Sequence, residues 1–143
     1  MKGTYTVLLS CKNRVIVRVG RLGRFKVEPG HYLYTGSALG VGAVSLEGRI
    51  KRHSRRTKTM RWHIDYLSSN KNCVFAGAVY LISARRLECK INEIILRDLN
   101  ARPVFDKFGV SDCHCSSHLL KTEDSESSRS VLRRLESVYA QYS

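Results

Sequence analysis

The chain has 143 residues, a length that points to one domain and lets a core form without disulfides. Apolar residues make up 43% of it, which excludes a disordered composition. Lys and Arg total 25 against 12 Asp and Glu, a net charge of +13. That excess favours a polyanionic partner, nucleic-acid backbone before anionic membrane, over a basic surface tuned only for solubility.

No run of about 18 apolar residues is present, so no membrane span is expected. The residues from Met1 to Tyr5 carry no apolar signal run, and a cytoplasmic location is expected. In a reducing compartment the five cysteines, Cys11, Cys73, Cys89, Cys113 and Cys115, are expected to be mostly thiols.

Thr4 to Ser10 is β-branched and apolar and predicts a buried strand. Arg14 to Val19 alternates basic and aliphatic residues and predicts a half-buried strand beside it, followed by short strands at Arg24 to Val27 and His31 to Thr35. Turns at Lys12-Asn13, Gly20 to Gly23 and Pro29-Gly30 make the first 36 residues read as an antiparallel meander. Gly40 and Gly42 mark a loop, then a helix is expected over Ala43 to His53, with Leu46 and Ile50 on its buried side. Arg49 and His53 share another face of that helix.

Ser54 to Arg61 is a basic loop, and Arg61 to Leu67 reads as a short helix. Cys73 to Ile82 is the next strand, and a helix is expected from Arg85 to Leu99 with Leu87, Ile91, Ile94 and Ile95 as its core stripe. Ala101 to Asp112 reads as loop and Ser117 to Leu120 as a short strand. Ser125 or Ser127 caps a final helix, about 125–141, through Val131, Leu132, Leu135 and Val138. The order predicts an α+β domain, a small antiparallel β-sheet flanked by helices, over 1–143 with its core at about 3–120.

Two tripeptides stand out: Gly3-Thr4-Tyr5 opening a strand and Tyr34-Thr35-Gly36 closing a later one. With Tyr34 to Ala38 followed by Leu46 to His53, they resemble the signature segments of the GIY-YIG nuclease superfamily. Arg61-Trp62-His63-Ile64-Asp65-Tyr66-Leu67 and Phe108 to Cys115 further resemble one microbial branch of it, whose members occur alone or fused to endonuclease III-type repair glycosylases. The resemblance implies a divalent-metal-dependent endonuclease acting on DNA in repair or processing, with a repair protein as a further partner. It implies that Tyr34 helps deprotonate the attacking water, with Tyr5 beside it. Arg49 would stabilise the transition state, with Arg52 as the fallback, and Glu88 would bind a single Mg²⁺ or Mn²⁺. Asn92, four residues after Glu88, would face the same way.

These residue types suit the chemistry. A forked cation matches the concentrated charge on a phosphodiester in transit, and a hard divalent ion takes oxygen ligands. A tyrosine accepts a proton near neutral pH only if cations lower its pKa, and Arg49, His53 and the ion are expected to do so. His53 is expected to border the cleft, contacting phosphate or assisting proton transfer, whereas Trp62, His63 and Asp65 read as a structural cluster. Lys51, Arg52, Arg55, Arg56, Lys58 and Arg61 are the candidate contacts to a DNA backbone, DNA being favoured over RNA. Cys113, Cys115 and His118 lie within zinc-ligand reach, with Cys89 or His114 to complete a structural Zn²⁺ set, although buried thiols are the favoured reading. The competing readings are a non-catalytic nucleic-acid-binding module on the same fold and, behind it, a zinc-stabilised interaction domain.

Overall fold

The structure is a computed structural model that describes every residue except 111–114, 116, 124 and 143. β1 (Gly3–Cys11) lies inside a five-stranded sheet of order β5-β1-β4-β7-β6, formed with β4 (Gly30–Ala38), β5 (Cys73–Ile82), β6 (Ala101–Pro103) and β7 (Leu119–Thr122). Every pairing in it is antiparallel. Helices α1 (Leu46–Ser54), α2 (His63–Ser68), α3 (Glu88–Asp98) and α4 (Ser128–Ala140) flank the sheet, an α+β architecture.

Both faces of β1 are covered, which is why its sequence is a continuous apolar and β-branched run rather than an alternation. Leu8 joins Leu33, Ile91, Ile95, Val131 and Leu135 under α3 and α4. On the opposite face Tyr5 and Val7 pack with Leu46 of α1, while Leu9 and Cys11 pack with Ile64 and Leu67 of α2. Helix α1 starts where Ser45 accepts a hydrogen bond from Gly48 N at 3.1 Å, and Ser127 caps α4 in the same way on Ser130 N.

The expected meander does not form. β2 (Val15–Val19) and β3 (Gly23–Val27) pair only with each other among the described residues, as a separate hairpin. A strand has two hydrogen-bonding edges, and nine-residue β4 and ten-residue β5 occupy both edges of β1 along its whole length. The hairpin instead lays Val17, Val19 and Val27 against the core and leaves Ile16 exposed.

The cysteine expectation also needs correction. The β1–β5 register sets Cys11 directly opposite Cys73, and the two form a disulfide. A thiol count by compartment carries no information on strand register, and so missed the pair. Among the described residues no helix is long and apolar enough to cross a membrane.

Candidate functional site

A cleft of 660 Å³ opens beyond β4 and is lined by residues of β4, α1, the start of α3 and the segment before β7. Tyr34, Arg49 and Glu88 all line it. Ser37 and Arg86, which the sequence did not single out, line it too. Glu88 accepts a hydrogen bond from the Ser37 hydroxyl, and Arg86 Nη1 stands 4.0 Å from its carboxylate. A single carboxylate held open to a cleft suits a hard divalent ion that takes its other oxygens from water and phosphate.

Tyr5 and His53 are not cleft-lining residues. Both are 1% exposed, and the Tyr5 hydroxyl meets His53 Nε2 at 2.8 Å behind the cleft wall. The expectation that His53 borders the cleft and touches phosphate is therefore corrected. Its side chain lies on the buried side of α1, where burial, reinforced by the nearby cations of Lys58, Arg52 and Arg49, holds its pKa down to about 3. His53 is thus a neutral imidazole that positions Tyr5.

The register explains the glycine of the second tripeptide. Gly36 lies opposite Tyr5, whose ring crosses it so closely that a Cβ would stand 2.7 Å from the Tyr5 hydroxyl oxygen. Gly109, with φ +68°, lets the backbone pass the Tyr34 ring, where a Cβ would approach Cε1 to 2.7 Å. Its N–H donates to His63 Nδ1 at 2.8 Å.

Tyr34 differs from expectation in its ionisation. Arg49 lowers its pKa, but burial outweighs the guanidinium and pushes it up to about 12. Burial likewise pushes the Tyr5 phenol up. The protein alone therefore keeps both phenols neutral.

Arg49 reaches the cleft with its guanidinium carbon 4.9 Å from the Trp62 ring centroid, and its Nε is buried with no hydrogen-bond partner among the described residues. Arg52 lies 4.9 Å from the same ring but turns away to Asp65, at 2.7 Å, and to the Thr59 carbonyl. It is a structural cation rather than a substitute for Arg49. Lys58 donates to Ser68 Oγ at 2.7 Å and is partly buried, which lowers its pKa to about 8. Lys51, Arg55, Arg56 and Arg61 remain exposed. Asn92 is 2% exposed and donates to the Ser117 carbonyl, so it fastens the segment before β7 rather than facing the cleft.

Of the candidate zinc ligands, Cys115 and His118 come together with Cys89, their donor atoms within 4.8 Å of one another. Cys113 and His114 lie outside the described residues.

A five-stranded antiparallel sheet with helices on both faces thus carries a cleft at the end of β4 that holds a tyrosine, an arginine and a glutamate. The model of the family described as "Domain of unknown function DUF123" matches residues 4–140, and the chain belongs to that family. No curated protein and no solved structure matches the chain.

Proposed function

We propose that this protein is a divalent-metal-dependent endonuclease of the GIY-YIG type that hydrolyses phosphodiester bonds in DNA, in repair or processing. The observation that carries the reading is that Tyr34, Arg49 and Glu88, from β4, α1 and α3, line one cleft. Glu88 would hold Mg²⁺ or Mn²⁺, which when bound acts as a Lewis acid and adds positive charge beside the phosphate. Arg49, which lines the cleft, would offer its guanidinium to the non-bridging phosphate oxygens on which charge concentrates. Tyr34 orients the attacking water through a neutral hydroxyl, since burial keeps its pKa near 12. The Tyr5–His53 pair supports the wall behind. Lys51, Arg55, Arg56, Arg61 and Arg86 are the exposed cations available to the flanking backbone.

A second reading, a binding module without catalysis, is favoured by the high pKa of Tyr34, which leaves no base ready at neutral pH.

Labelled single-stranded, duplex, nicked, flapped and abasic DNAs with Mg²⁺ or Mn²⁺ distinguish the two. Cleavage by wild type that falls by about 100-fold or more in Glu88→Ala and Tyr34→Phe, with binding retained, is the expected result. Binding should weaken by orders of magnitude between about 50 and 200 mM salt. Salt-sensitive binding with no cleavage of any substrate would overturn the enzyme in favour of the module.

A further inference from the structure

We infer that Cys89, Cys115 and His118 form a zinc site, distinct in chemistry from the oxygen site at Glu88. Cys89 stands in the first turn of α3, and Cys115 and His118 in the segment leading into β7. Zn–S bonds of about 2.3 Å and Zn–N bonds of about 2.0–2.1 Å at tetrahedral angles set ligand edges of about 3.5–3.8 Å. Cys89 Sγ and His118 Nε2 are 3.8 Å apart, and no two of the three donor atoms are separated by more than 4.8 Å. An ion is therefore seated by a contraction of at most about 1.3 Å along any edge.

The donor set selects the metal. Two thiolates and an imidazole are soft and borderline ligands that favour zinc and disfavour Mg²⁺, Mn²⁺ and Ca²⁺. Binding displaces the two thiol protons to solvent and leaves His118 neutral. Cys89 and His118 line the cleft, so an ion held by them would stand at its wall.

The ion would also act mechanically. His118 N donates to the Phe108 carbonyl at 2.8 Å, and the His118 carbonyl accepts from Thr35 N at 3.4 Å. Zinc therefore ties α3, which begins at Glu88, to the segment that carries Gly109 against the Tyr34 ring. It would fix the separation of the two sides of the cleft whether or not the cleft is catalytic.

Protein purified under reductant without chelator or metal-affinity resin, and then dialysed, is assayed for zinc without any nucleic acid. About one zinc per chain is expected, falling at least tenfold in Cys89→Ser and in Cys115→Ser and unchanged in Cys11→Ser. Wild-type protein loaded with Co²⁺ provides a check that needs no variant to fold, and a thiolate-to-cobalt charge-transfer band is expected. The site is overturned by wild-type zinc below about 0.2 equivalents after zinc addition. Zinc retained in the Cys89→Ser/Cys115→Ser double variant, a cobalt spectrum without thiolate character, or a metal-free Cys89–Cys115 disulfide would overturn it equally. Because none of these readouts requires cleavage, the nuclease reading and the zinc site fail separately.

Discussion

At the scale of single residues, the site is built by contacts that leave no slack. The Tyr5 ring is held at its hydroxyl by His53 and lies across Gly36, so a methyl group at position 36 has nowhere to go. A Cβ there meets the Tyr5 hydroxyl oxygen at 2.7 Å and Cζ at 2.9 Å, and a ring 1% exposed cannot swing aside. Gly36→Ala should therefore cost about 1–3 kcal/mol, the usual range for overpacking a closed core. Urea denaturation measures it, and an unchanged midpoint with an unchanged slope would contradict the contact. The tripeptides around Tyr5 and Tyr34 were legible only through their resemblance to a known signature, since nothing in their residue types foretells that the Tyr5 ring crosses Gly36. The burial of His53 was not legible. Spacing puts His53 on the Arg49 face of α1, but only tertiary packing decides how deep that face lies.

Among elements, strand and helix positions were legible from periodicity, whereas their pairing was not. Alternation identifies β2 as a strand, yet the choice of partner depends on which edges β4 and β5 have already filled. β6 escaped because three residues ending in Pro103 carry too short a pattern to detect. Helices α1 and α2 are joined by Asp65, a residue visible in the sequence without its partners. Its Oδ2 accepts from Arg52 Nη2 at 2.7 Å, Arg61 N at 2.9 Å and Trp62 N at 3.0 Å. Burial alone would raise the carboxyl pKa, but these three donors outweigh it and hold the pKa below the ordinary value. Asp65→Ala strands the partly buried Arg52 guanidinium and two backbone N–H groups that start α2. A loss of about 3 kcal/mol is expected, near the lower end for breaking a buried pair. Chemical denaturation of Asp65→Ala beside Asp65→Asn measures it, with the amide, which keeps an acceptor, falling between. A loss below about 1 kcal/mol in Asp65→Ala would mean that Arg52 finds water instead.

For the whole molecule, a net charge of +13 predicts a polyanionic partner but is silent on how stability responds to protons. The fold answers through its histidines. Burial lowers the pKa of His31, His63 and His118, and that of His53 to about 3. In the unfolded chain each returns to about 6.5. Between those values the unfolded state binds protons that the native state refuses, so stability is fully present above pH ~6.5 and is lost as pH falls. The loss continues down to about 3 for His53, where the native imidazole at last takes up its proton. Each group contributes a slope of up to about 1.4 kcal/mol per pH unit within its own window. Asp65, with its pKa held down, adds a loss of the same sign below its ordinary value. Urea midpoints at intervals from pH 7.5 to about 4 should therefore fall monotonically, and His53→Asn should flatten the slope by up to about 1.4 kcal/mol per unit. A wild-type profile flat across that range would show that His53 titrates in the native state, and hence that solvent reaches the wall behind the cleft.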